Sequence, residues 1–260
     1  MFTIEFLHEI RDAEIEVIAS HFPPGARILE IGAGTGRQAL DIRRRGFAVE
    51  AIEIAESNYR DQQEFPITAY DGRHIPFPDA SFDVVFSSNV LEHVRDFDAL
   101  HSEIKRVLRP NGRCVHVMPT HAWRFWTILA AFPAGVQKAV AVARAPGRPG
   151  TPLQKAAQAV VRVVRTLGHL FAPFVQGRHG ERGSLLGELW LFRPAVWRRH
   201  FRRQGFEILR DQPMGLHYTG YFVFGPRWSL SKRARLAGRL GSACHLFELR
   251  PIPSNELASP

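Results

Sequence analysis

A short apolar run that empties into alternating glycines constrains this chain more than any other feature. Arg27-Ile28-Leu29-Glu30-Ile31 leads into Gly32-Ala33-Gly34-Thr35-Gly36, and residues 37–45 follow as a helix that Gly46 closes. Strand, glycine turn and helix in that order open a parallel, doubly wound sheet, in which ligands bind at the carboxyl ends of the strands. Glycines there let the backbone turn tightly and approach a ligand without a Cβ, while the next helix offers unpaired N–H groups. The spacing is GxGxG, with Arg37 where a dinucleotide fingerprint wants a third glycine. That counts against NAD and FAD.

The rest of the first 120 residues repeats the alternation. An amphipathic helix is expected over residues 4–19, from Ile4, Leu7, Ile10, Ile15 and Ile18, ending at Pro23-Pro24-Gly25. Strands are expected at residues 47–54, 67–70, 82–87 and 113–118. The strand at 82–87 reads as a continuous apolar one, as a strand buried on both faces should. Helices are expected near 57–63 and over 96–108, the latter stopped by Pro110-Asn111-Gly112. The pattern breaks for about 70 residues and resumes with a helix at 194–204, a strand at 206–210, a helix at 230–240 and a strand at 243–249. The implied organisation is a Rossmann-like core over 1–120, a helical insertion over 121–192, a return to the core over 193–250, and a frayed tail over 251–260.

Two acids sit where a ligand would meet them. Glu53 ends the second strand, 17 residues beyond Gly36, where a carboxylate can accept both hydroxyls of a ribose. Asp71, followed by Gly72, ends the third and could accept from an exocyclic adenine amine. Glycine loop, ribose acid and adenine acid at three successive strand ends are together far more specific than any one of them.

The runs EIGAGTG, EAIEI, AYDGRHIPFPDASFDVVFSSNVLEHV and EIKRVLRPNGRCVHVMP resemble class I S-adenosylmethionine-dependent methyltransferases, specifically the type 11 family, from about residue 28 to 119. The resemblance implies an α/β fold, a Rossmann-like doubly wound seven-stranded sheet whose last strand runs antiparallel between its neighbours. It implies S-adenosyl-L-methionine as cofactor. By position, Glu30, Gly32, Ala33, Gly34 and Gly36 would line its methionine end. Glu53, with Ile54 beside it, would hold the ribose, Asp71 and Gly72 would flank adenine, and Ser88 and Asn89 would sit by the sulfonium. The family more often has aspartate where Glu53 stands. Glu30 and Asp83 could instead simply cap or buttress loops.

Methyl transfer needs a base only when the acceptor must lose a proton. His93, after the fourth strand, is the first candidate; His121 is weaker, and His217 lies beyond the sixth strand. Each could instead be a structural histidine. Cys114 and Cys244 have no CxxC spacing, so neither a zinc site nor a disulfide framework is expected, and a reducing cytosol is the default. No metal ligand is assigned.

Charge divides unevenly along the chain. Residues 1–120 carry 13 Lys/Arg against 19 Asp/Glu, whereas residues 121–204 carry 14 against 2. Within the basic part, Leu153, Ala156, Ala157, Val160, Val161, Val164, Leu167, Phe171 and Phe174 form one helical stripe. Lys155, Gln158, Arg162, Arg165 and His169 take the other face, and Thr151-Pro152 starts the helix. An earlier helix, rich in Trp123, Phe125 and Trp126, is separated from it by residues 145–150. Residues 125–143 are broken by Pro133, Gly135, Gln137 and Lys138, so a membrane-spanning helix is not expected there, but an interfacial one is.

These features point to a cytoplasmic methyltransferase, peripheral on the inner face of a membrane, acting on a hydroxyl of a small-molecule or lipid-linked acceptor. Two alternatives stay open: a soluble enzyme whose basic lid attracts an acidic substrate, and a catalytically silent cofactor-binding or scaffolding protein. Nucleic acid is not the expected partner, since no RNA-binding module or stacking platform is recognisable.

Overall fold

The computed structural model describes residues 4–56, 62–147, 149–222 and 224–253. Its sheet has seven strands: β1 (Arg27–Ile31), β2 (Ala48–Ile54), β3 (Thr68–Tyr70), β4 (Phe82–Ser88), β5 (Leu108–Pro119), β6 (Phe206–Pro213) and β7 (Cys244–Pro251). They lie in the order β3-β2-β1-β4-β5-β7-β6. β1 to β5 pair in parallel, and β7 runs antiparallel between β5 and β6. The expected fold class and the placement of the last strand are both found.

Strand alternation builds two cores. Ile28, Val84, Phe86, Val115 and Val117 point to one face and meet Phe6, Ile10, Ile15 and Ile18 of α1 (Ile4–Ala19) and the segment from Met214 to Phe222. Leu29, Ile31, Val85 and Phe247 point to the other. There they meet Phe97, Leu100 and Ile104 of α3 (Phe97–Val107) and Trp197 and Phe201 of α7 (Pro194–Arg203). Burying each such side chain contributes about 1.5–3 kcal/mol.

Two elements differ from the sequence reading. β5 starts at Leu108 rather than 113, because Phe82 pairs with Leu108 and Val84 with Arg113 while the residues between them bulge out, Asn111 at a φ of +66°. The helix after β5 does not break at its proline: α4 (His121–Arg144) runs unbroken through Pro133. By length and composition α4 could cross a membrane, yet Arg124, Thr127, Ala131, Ala134, Gly135 and Ala139 are buried in the protein. The helix expected near 57–63 falls mainly on residues outside those described, as does most of the tail expected over 251–260.

α5 (Pro152–Phe171) returns along α4. Thr151 accepts from Gln154 N, and the Gln154 side chain accepts from Thr151 N, a complete capping box. Gly135 lets the two helices close up, since a Cβ there would lie 2.5 Å from His169 O. The short helix α6 (Glu188–Leu191) then leads to α7, and α8 (Leu230–Leu240) precedes β7.

Candidate active site

The glycine loop sits at the carboxyl end of β1, held against β2 by Gly32 N and Ala33 N, which both donate to Ile52 O. Gly32, Gly34 and Gly36 have φ values of +72°, +58° and +78°, a region that costs L-residues with a Cβ. Gly36 serves as N-cap of α2 (Arg37–Arg44).

Glu30 is buried, and one carboxylate oxygen has no hydrogen-bond partner among the described residues. Burial pushes its pKa up to about 8, with Glu53 adding to the rise. Such an orphan oxygen beside the glycine loop suits a cationic ligand group. Asp83, by contrast, accepts from Arg27 N and takes both its oxygens to Arg109, so it buttresses the far end of the strands.

The acids expected to meet ribose and adenine stand at their strand ends and accept from backbone N–H groups. Glu53 accepts from Gly34 N at 2.8 Å and from Ile54 N at 2.9 Å. Asp71 accepts from Arg73 N and His74 N, and its other oxygen lies 2.8 Å from His74 Nδ1. The His74 ring and these N–H groups hold its carboxyl well below the usual carboxylate range. Gly72, at a φ of +77°, packs beside Ile54.

Ser88 ends β4, and Asn89 follows in the left-handed region at a φ of +55°, its N–H on Val117 O. With its amide oxygen toward Arg11, Asn89 accepts from that guanidinium at 2.9 Å. Arg11 pairs with Glu14 at 2.6 Å, and Glu14 accepts from the Tyr218 hydroxyl, which also contacts Cys244 Sγ at 3.1 Å. This network was not anticipated: Arg11 and Glu14 look like solvent-facing charges of an amphipathic helix. The available signal was their i, i+3 spacing next to Ile10 and Ile15.

The three candidate bases part company here. His121 is exposed at the start of α4, with its backbone N–H on Phe192 O. His217 is buried with Nδ1 3.1 Å from Gly241 O, lining a cavity of about 230 Å³ with Trp126, Phe222 and Trp228. His93 stands beside a buried carboxylate and a second imidazole. Its Nε2 is 3.8 Å from Glu92 Oε1, and its ring meets His179 edge-on at a centroid distance of 4.9 Å. Burial lowers its pKa. Burial also pushes the Glu92 carboxyl up to about 8. Neither Glu92 nor His179 was singled out from the sequence, because His179 comes from the insertion.

Residues 29–116 match the family described as a methyltransferase domain. Two curated relatives match a similar stretch. The demethylmenaquinone methyltransferase of Streptomyces avermitilis is 34% identical over 99 residues, covering 35% of this chain and 42% of that one. The 27-O-demethylrifamycin SV methyltransferase of Amycolatopsis mediterranei is 34% identical over 100 residues, covering 34% and 37%. The match thus spans less than half the length of either relative. A crystal structure of an S-adenosylmethionine-dependent methyltransferase from Mesorhizobium loti superposes on 92% of this chain and 97% of its own, with a TM-score of 0.53 at 19% identity. That likeness shows the fold.

Proposed function

We propose, for a chain whose residues 29–116 are a class I S-adenosylmethionine-dependent methyltransferase domain, that the whole protein methylates a hydroxyl on a lipid-linked or amphipathic acceptor at an anionic membrane surface. The residues present fit this cofactor. A buried carboxylate oxygen on Glu30 lacks a partner, and the loop beside it leaves no room for a Cβ at Gly32 or Gly36.

When bound beside Glu30 and the glycine loop, the cofactor would supply a methyl group on a sulfonium, to be passed to the acceptor oxygen as the carbon–sulfur bond breaks. The chain's part is alignment, with Asn89 held by Arg11 at the end of β4, and removal of the acceptor's proton near His93. Glu30 takes the cationic amino group. Since burial holds Glu30 protonated up to a pH of about 8 when the site is empty, binding of a cation there releases a proton. Calorimetry at pH 7 in buffers of different ionisation enthalpy is expected to report release of about one proton per cofactor bound. Glu30→Gln should abolish that release, and a wild type with no buffer dependence would refute the assignment.

The orientation of α5 carries the choice of acceptor. Gln158, Arg162, Thr166 and His169 form its half-buried stripe, packed toward α4. Its apolar stripe faces outward, with Leu153 81% and Val164 63% exposed. A soluble lid would put the apolar stripe on the protein. Neither α4 nor α5 contains an acid, and Lys155 and Arg165 lie exposed beside that stripe. A second copy docking there would bring like charges together, whereas an anionic lipid surface accepts both the apolar side chains and the cations, at about 1 kcal/mol per cation near the surface. The demethylmenaquinone named for one relative belongs to the same amphipathic class of acceptor.

Sedimentation with anionic vesicles at low salt should carry the protein down, with at least a tenfold loss for Val160→Glu/Val164→Glu and a strong loss at high salt. No sedimentation at low salt would remove the membrane reading. Methyl-labelled cofactor incubated with the protein and a membrane lipid extract should place label in the organic phase. Label confined to water would remove the lipid acceptor.

A further inference from the structure

Glu92 is 4% exposed, and among the described residues neither of its carboxylate oxygens has a hydrogen-bond partner. A buried carboxylate left this way is costly unless something meets it. What faces it is a pair of imidazoles. His93 Nε2 lies 3.8 Å and His179 Nε2 3.9 Å from Glu92 Oε1, and the three ligand atoms fall within 4.8 Å of one another. These separations are too long for hydrogen bonds. They are close to those of a metal site, since two ligands about 2.1 Å from one tetrahedral ion stand about 3.4 Å apart.

The third ligand is brought in from far along the chain and fixed there. Glu181 N donates to Glu92 O at 2.9 Å, and Gly180 comes so near that a Cβ on it would lie 2.7 Å from the same oxygen. His179 N and Gly180 N both donate to Glu188 Oε1 at 2.6 Å, and the His179 ring rests edge-on against Trp123. Backbone and ring contacts thus set the imidazole before any ligand arrives. The histidines keep one side open: their side chains are 45% and 34% exposed against 0% for Glu92.

We propose that Glu92, His93 and His179 form a site for a borderline divalent cation of the zinc or cobalt kind, with open positions on the solvent side. One carboxylate and two imidazoles suit such ions better than magnesium or calcium, which prefer all-oxygen shells. The cysteine spacing gave no hint of it, because no cysteine takes part. The site lies three residues beyond Asn89. Resting on the methyl-transfer reading, its open position takes the acceptor's oxygen, and the cation rather than the His93 ring favours loss of that oxygen's proton to water.

The test uses cobalt(II) alone, titrated into the full chain without cofactor, so it does not depend on methyl transfer. One equivalent should bind and give visible absorption bands of a low-coordinate nitrogen–oxygen site. His179→Ala and Glu92→Gln should each weaken binding at least tenfold and abolish the bands. The backbone hydrogen bonds that hold the loop to Glu92 and Glu188 remain in His179→Ala, so that variant should keep the wild-type circular dichroism and cooperative unfolding, which serve as the fold control. No binding up to about 1 mM, or equal affinity and spectrum in the wild type and in His179→Ala, would overturn the proposal.

Discussion

Gly32→Ala is expected to lower cofactor affinity at least a hundredfold by calorimetry, about 2.8 kcal/mol at 1.4 kcal/mol per factor of ten. Two costs act together. At a φ of +72° the left-handed backbone alone costs an alanine about 1–2 kcal/mol. The added Cβ would also lie 2.4 Å from Val90 Cγ2 and 2.9 Å from Cγ1. Either the loop or the segment after β4 must move, and both belong to the proposed cofactor site. Gly25→Ala separates the terms: its φ is also +72°, but nothing lies within 4 Å of the new Cβ. That variant should lose about 1 kcal/mol of stability and keep cofactor affinity near wild type. Gly32→Ala/Val90→Ala should recover part of the loss. Affinity for Gly32→Ala within threefold of wild type would show that the loop is not the cofactor's cradle.

The sheet was legible because burial on two faces leaves a pattern that local sequence cannot hide. Phe82, Val84, Val85 and Phe86, crowded between two turns, admit little besides a central strand. Periodicity says less about which way a stripe points. The apolar positions of α5 were read correctly as one stripe, yet a helix with its apolar face in water has the same sequence pattern as one with that face in a core. Orientation is decided by the partner, here by Gly135 letting the polar stripe close on α4. Side-chain direction was equally hidden at the strand ends. Glu53 and Asp71 stand at their strand ends, but Glu53 accepts from the N–H groups of Gly34 and Ile54, and Asp71 from those of Arg73 and His74. Buried charges gave the weakest signal. Arg11 and Glu14 read as surface residues until Tyr218, some 200 positions later, met them. His93, one of the three histidines considered as bases, meets Glu92 beside it in the sequence and His179 from the insertion, and the second of these no local pattern could show.

Within the insertion a buried ion pair joins α4 to α6, and cutting it should have the second large effect. Arg124 Nε and Glu188 Oε2 lie 2.7 Å apart with side chains 5% and 0% exposed, a close ionic contact whose angle is too bent for a hydrogen bond. Arg124 also donates to Gly177 O, and the second Glu188 oxygen takes the His179 and Gly180 N–H groups. Glu188→Ala strands a buried guanidinium and two buried amides at once, so a loss of about 3–5 kcal/mol of stability is expected in urea titration. Glu188→Gln can still accept from the two amides but drops the charge, and should cost nearly as much if the pair dominates. Arg124→Leu/Glu188→Gln removes both charges and keeps the acceptor, so it should cost at least about 2 kcal/mol less than the sum of its single variants. Additive losses would mean that the two residues act separately on loop and helix. A loss under about 1 kcal/mol for Glu188→Ala would mean that the loop carrying His179 is held by its contacts with Glu92 and Trp123 alone.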